Sequence, residues 1–263
     1  MIQQSPIGVF DSGIGGTSIW KEIHSLLPNE DTIYLADSKN APYGEKSPEE
    51  IVALSVKNTE LLLAKGCKII VVACNTATTN AIDHLRKTYK VPFIGIEPAI
   101  KPAALQSSTK KVGVLATRGT LSSSLFHSTS KLFAEGITVI ERDGEGLVPL
   151  IEAGDLEAIQ LKSLVNRYVL PMVEEGIDYL VLGCTHYPYL QPYLKEILPS
   201  YVKIIDSGAA VAKQTKAVLQ SHDLLNDKEE KGTCLFYSNA NAEVLKRFVD
   251  TDQQYLAVSD LDF

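Results

Sequence analysis

The sequence has no apolar run near the roughly 18 residues that a membrane-spanning helix needs. Its start, MIQQSPIGVF, lacks the basic stretch and long apolar segment of a signal peptide. These two absences predict a protein that stays in the cytoplasm and makes no use of a membrane. Positive charge is also scarce. Lys and Arg number 25 against 32 Asp and Glu, a net charge of -7, which removes bulk attraction to nucleic acid or an anionic lipid surface and leaves only local cationic pockets. No basic stripe is interleaved with aromatics, so no nucleic-acid partner is expected. The four cysteines, Cys67, Cys74, Cys184 and Cys234, contain no CxxC pair, which argues against both a disulfide framework and a structural zinc site. The glycine-rich loop FDSGIGGTS (10–18) is neither GxGxxG nor GxxxxGK[ST], so neither a dinucleotide fingerprint nor a P-loop is supported.

What is present is a chain of 263 residues, 45% apolar, long enough to bury a substantial core. Short apolar runs recur: IGVF (7–10), TIYLA (32–36), KIIVVA (68–73), PFIGI (92–96), KVGVLA (111–116), ITVI (137–140), YLVLG (179–183), VKII (202–205) and CLFYS (234–238). Between them lie segments with helical spacing, such as Pro48 to Lys65. This alternation predicts parallel sheets covered by helices. EPAIKPAALQSSTKK reads as a connector between two series of such units, SHDLLNDKEEKGT as a solvated connector, and NAEVLKRFV as a helix. The expected architecture is two α/β domains, 1–97 plus 210–263 and 98–209, with the final segment completing the first sheet.

Two stretches echo each other. VVACNTATT (71–79) and LVLGCTHYPYL (180–190) each place a cysteine directly after a hydrophobic strand, followed by a polar shelf. Cysteine alone is as often a small core residue. Two at matching strand ends can instead face each other across a cleft, because open parallel sheets bind ligands beyond the carboxyl ends of their strands. Opposed thiols suit reversible proton transfer at a carbon centre, one ionised and one protonated, with roles exchanged after each inversion. Around them, Asp11 and Ser12 close the first strand, and the turn NAPYGEK brings Tyr43 and Gly44. Asn75 and Thr76 adjoin Cys74, and Thr185 and His186 adjoin Cys184. All of these offer donors or acceptors to a small zwitterion. Glu152, in GLVPLIEAG, reads on its own as a helix cap or packed loop. A zinc site on Cys74, Cys184 and His186 lacks a fourth ligand, and a Cys-His hydrolase leaves the second cysteine without a purpose.

DSGIGG (11–16), YLADSKNAPYG (34–44), VVACNTATT (71–79), VGVLATRGTLSS (112–123), LVPLIEAG (147–154) and LVLGCTHYPYL (180–190) together resemble the glutamate racemases of the aspartate/glutamate racemase family, in order along most of the chain. The resemblance implies two pseudosymmetric α/β domains with the active site between them. It also implies cofactor-independent interconversion of L- and D-glutamate, which feeds D-glutamate into peptidoglycan. By resemblance, Cys74 and Cys184 are the acid/base pair, and Asp11, Glu152 and His186 assist proton transfer. Asp11, Ser12, Tyr43, Gly44, Asn75, Thr76, Thr117, Thr120, Thr185 and His186 contact the substrate. Neither metal nor pyridoxal phosphate is implied, and a homodimer is. Phe126 stands where the family often has Tyr. Aspartate racemization is the nearest alternative, and a pocket that binds a small acid without turnover is the alternative of a different class.

Overall fold

A computed structural model describes residues 3–133, 136–249 and 253–263. The strands, in chain order, are β1 (Ile7–Asp11), β2 (Thr32–Ala36), β3 (Ile69–Val72), β4 (Phe93–Gly95), β5 (Lys111–Ala116), β6 (Thr138–Asp143), β7 (Tyr179–Gly183), β8 (Lys203–Ile205), β9 (Cys234–Ser238) and β10 (Leu256–Asp260). They form two sheets, ordered β10-β9-β2-β1-β3-β4 and β6-β5-β7-β8. Every pairing is parallel. The alternating α/β architecture expected from the apolar runs is the one found.

Continuous apolar runs form these strands because both faces of each sheet are covered by helices, so alternation with polar residues is not required. In β3, Ile69 and Val71 enter one apolar cluster while Ile70 and Val72 enter another, the two-residue period of a strand buried on both sides. The first of these clusters also takes Leu115, Leu180 and Leu182 from the second sheet, so one continuous core underlies both halves.

Helices are set by local signals. Pro48–Ala64 begins with a capping box in which Ser47 and Glu50 satisfy each other's backbone N–H groups, with Pro48 in the first turn. Asn75–Thr88 starts on Cys74 itself, whose sulfur accepts from the Ala77 N–H at 3.4 Å. The connector after β4 contains a helix, Ile100–Gln106. The chain crosses to the second sheet after β4 and returns after β8, and the Ser207 hydroxyl donates to the Glu97 carbonyl, tying the two crossings together. The returning helix Gly208–Ser221 packs on Thr17–Leu26, and β9 then docks beside β2.

Three details differ from the sequence reading. The helix near the end is shorter, Ala242–Lys246. A further edge strand, β10, follows; it overlaps the short apolar run YLAV (255–258), which the sequence reading did not take up, and its residues are half-exposed or exposed. The polar connector before β9 is pinned rather than free: the Asn226 N–H donates to Glu30 Oε1 at 2.7 Å, and Lys228 pairs with Asp31 at 2.8 Å.

Candidate active site

The carboxyl ends of β1, β3, β5 and β7 deliver the chemistry-bearing residues, as expected for open parallel sheets. Cys74 follows β3 and Cys184 follows β7. Both are buried and both line one small chamber together with Ser12, Tyr43, Gly44, Asn75, Thr76, Thr117, Thr185 and His186. The two thiols that lie far apart in sequence therefore share a cavity, one supplied by each sheet. The chamber has a volume of about 10 Å³, room for one water molecule. Cys67 and Cys234 are free and buried outside it, and burial pushes their thiols up to about 12 and about 11.

The two cysteines have different surroundings. Cys74 Sγ lies 3.7 Å from Ser12 Oγ. Burial raises its pKa well above 9.0 and the nearby Asp11 carboxylate raises it further, against the Ala77 N–H and Ser12, which favour the thiolate. Cys184 Sγ lies 3.7 Å from His186 Nδ1, and His186 Nε2 lies 2.5 Å from Glu152 Oε1. Burial alone would lower the imidazolium, but the hydrogen bonds to Cys184 and Glu152 outweigh it and hold His186 well above 6.5. A Cys–His–Glu relay thus stands behind one thiol and a hydroxyl and a backbone amide behind the other.

Glu152 ends the helix Leu147–Glu152, and its carboxylate reaches into the first half of the molecule. Oε1 accepts the Ile14 N–H at 2.7 Å and Oε2 accepts the Ser38 hydroxyl at 3.1 Å. Asp11 is wholly buried. It accepts from Gly16 N at 2.8 Å and Gly13 N at 3.3 Å, and from the Thr185 hydroxyl at 3.3 Å. Burial raises its pKa to about 6, opposed by the charge of His186 and the Gly16 N–H.

Asn75 is buried with both amide atoms unpartnered. A buried carboxamide with a donor and an acceptor unused, in a chamber wall, is suited to a polar ligand. Thr76, Thr117 and Thr120 form a hydroxyl triangle with sides of 2.8, 3.3 and 3.1 Å. Thr76 and Thr120 are its buried corners, and Thr120 is not part of the chamber lining. Tyr43 lines the chamber, and its hydroxyl is already engaged, donating to Asp37 Oδ2 at 2.5 Å and accepting from Asn58 at 3.1 Å. Phe126 packs among Ile100, Val112 and Tyr179, away from the chamber lining.

Sequence reasoning passed over Asp37, which accepts from Tyr43, Asn40 and Asn239 and so fixes the turn carrying Gly44. The signal was available: Asp37 closes the run TIYLAD as Asp11 closes GVFD, each at the carboxyl end of an apolar strand. Ser38 and Asn58 carried no such signal.

Similarity to known proteins agrees with this geometry. The glutamate racemase of Herpetosiphon aurantiacus is 47% identical over 232 residues, 88% of this chain and 91% of that protein. A glutamate racemase isoform of Bacillus anthracis superposes with a TM-score of 0.87 at 30% identity, covering 99% of each chain. Escherichia coli glutamate racemase, solved with L-glutamate and the activator UDP-MurNAc-Ala, superposes with a TM-score of 0.82 at 35% identity, covering 97% of this chain and 99% of that one. The family described as Asp/Glu/Hydantoin racemase matches residues 7–215, and the chain is an enzyme belonging to that family.

Proposed function

We propose that the chain interconverts L- and D-glutamate by two-cysteine acid/base catalysis, without metal or pyridoxal phosphate, and so supplies D-glutamate for peptidoglycan synthesis. The observation that carries this reading is the shared chamber of Cys74 and Cys184, one thiol from each sheet. One thiolate takes the α-proton: the Cα–H bond breaks, an S–H bond forms, and the electron pair stays on the α-carbon. The opposite thiol then gives its proton to the other face. Proton count is conserved, and the two cysteines exchange protonation states.

The other residues serve that step. His186, held by Glu152, balances the charge of Cys184, while Ser12 and the Ala77 N–H stabilise a thiolate on Cys74. Asp11 takes part through its charge on both sides. Asn75, Thr76, Thr117 and Thr185, with Tyr43 and Gly44, hold the carboxylates and the ammonium group, and Thr120 supports Thr76 and Thr117 from behind. The partition of strands into two sheets supports two domains, 1–97 with 210–263 and 98–209. We place the reaction in the cytoplasm and expect a homodimer; among the described residues no helix is long and apolar enough to cross a membrane.

The test is to follow optical rotation or enantiomer-resolved chromatography from separate samples of L-glutamate and L-aspartate, without added metal or pyridoxal phosphate. Conversion of glutamate with little of aspartate is expected. Equal or better aspartate conversion would move the substrate to the shorter acid, and a folded protein inert to both would overturn the racemase reading in favour of binding alone.

A further inference from the structure

Outside the catalytic chamber lies a much larger cleft, about 490 Å³. Pro42, Gly44, Thr117 and Val148 line both spaces, so a molecule resting in the cleft touches the chamber's own wall. The chamber, at about 10 Å³, is too small for any amino acid as it stands. The cleft, which shares that wall, is the adjoining space large enough to hold one.

The ionisable lining of that cleft is mixed. Glu45 and Lys46 come from one side, and Arg118, Asp143 and Glu145 from the other. Arg118 Nε donates to Asp143 Oδ2 at 3.0 Å, and a second guanidinium nitrogen donates to Glu145 Oε2 at 3.2 Å. The Arg118 side chain is 67% exposed and that of Glu145 is 68% exposed. Ion pairs this open to water contribute little to folding, so the fork has small worth as a stabilising contact. Its electrostatic effect is larger: its single positive charge offsets one of the two carboxylate charges it bridges, and brings the cleft's ionisable lining from net −2 to net −1. Removing it would leave the passage lined by three carboxylates and one lysine.

We propose that this cleft is the antechamber in which the anionic amino acid first binds, and that Arg118 is the residue that assists its capture there, partly offsetting Asp143 and Glu145 so that a net-negative dicarboxylate is less repelled. This rests on the glutamate reading given above. The interaction is one of charge in a partly solvated cleft, so it acts on binding rather than on proton transfer, and salt screens it.

The experiment measures kcat and KM for glutamate in the wild type and in Arg118→Gln, Arg118→Lys and Glu145→Gln, at low ionic strength and in about 0.5 M NaCl, where the Debye length is only several ångströms. One unit of charge a few ångströms from the ligand in a water-rich cleft corresponds to about threefold to tenfold in KM. Arg118→Gln is expected to raise KM by that factor at low salt with kcat within about twofold, Arg118→Lys to restore it, and Glu145→Gln to lower it. All four proteins should converge in high salt. An unchanged KM in Arg118→Gln, or a loss that persists in high salt and is not rescued by lysine, would overturn the proposal. A wild type that fails to racemise glutamate would overturn the functional reading and this inference with it, so the control separates the two failures.

Discussion

A β-carbon on Gly13 would lie 1.9 Å from Oε1 of Glu152, so the absence of a side chain in the first loop is what lets a carboxylate from the second half of the molecule reach the Ile14 N–H. Gly15 stands in the same relation to His186, whose Nδ1 would lie 2.3 Å from an added β-carbon. Gly13 and Gly15 serve close approach between the two halves of the protein, while Gly16 lies against Asp11, Tyr34 and Ala73 of its own half. Glu152 cannot simply swing aside, since Ile14, Ser38 and His186 all hold its carboxylate. Gly13→Ala is therefore expected to cost about 1–3 kcal/mol in stability by overpacking and to lower kcat/KM for glutamate at least tenfold. Thermal unfolding and steady-state rates check this, and Glu152→Ala in the same chain should recover the stability but not the rate.

The Tyr43 hydroxyl belongs to the turn and not to the ligand. Tyr43→Phe removes the hydrogen bond to buried Asp37, worth about 1.5–3 kcal/mol when the acceptor is charged. Urea unfolding should show that loss, while KM for glutamate stays within about threefold. A large rise in KM with unchanged stability would put the hydroxyl on the substrate.

Asp11 sets an acid limb. Its pKa of about 6 lies above the ordinary 3.8 because burial disfavours the charged form. Since the native value is the raised one, the proton-linked stability from Asp11 is present in full below about pH 3.8 and is lost as pH rises through about 6. That loss is on the order of 3 kcal/mol. In catalysis, kcat/KM of the wild type should fall below pH about 6 as Asp11 takes up its proton. Asp11→Asn should be at least tenfold slower and lack that limb. A wild-type profile flat from pH 5 to 7 would contradict the assignment.

Much of this site is legible in the sequence, and the reason is local. Cys74 and Cys184 each interrupt an apolar run at the end of a strand, and strand ends are where parallel sheets place ligands. Asn75, Thr76, Thr185 and His186 come with them as neighbours in sequence. Glu152 is different: its sequence context is an ordinary helix end, and only folding brings it to Ile14, Ser38 and His186. Asp37 is harder to find because its role lies in contacts with Tyr43, Asn40, Asn58 and Asn239 that sequence proximity only partly reveals. The edge strand β10 gives a weaker signal: its run YLAV (255–258) is short and passes directly into polar SD, because an exposed edge strand needs only a brief apolar stretch.

Away from the site, Lys68 and Glu30 form a buried pair at 2.5 Å, with side chains 0% and 2% exposed, and Lys68 also donates to the Gln3 carbonyl. Removing one partner strands the other charge, so Lys68→Ala should destabilise by about 3–5 kcal/mol. Replacing the pair with Lys68→Met and Glu30→Leu should recover at least half of that. Activity per folded molecule should stay within about twofold in both, because neither side chain lines the chamber.

In the proposed mechanism Cys74 and Cys184 act on opposite faces of one carbon. The direct measurement is early-time solvent isotope incorporation: L-glutamate is converted in D₂O, and α-deuterium is read in the product and in recovered substrate, beside Cys74→Ser and Cys184→Ser. Deuterium is expected in nearly every product molecule, with little in recovered substrate. Each variant should remain folded and lose racemization by at least about a thousandfold. Product that retains the original α-hydrogen, or a single-cysteine variant that still racemises within tenfold of the wild type, would contradict it.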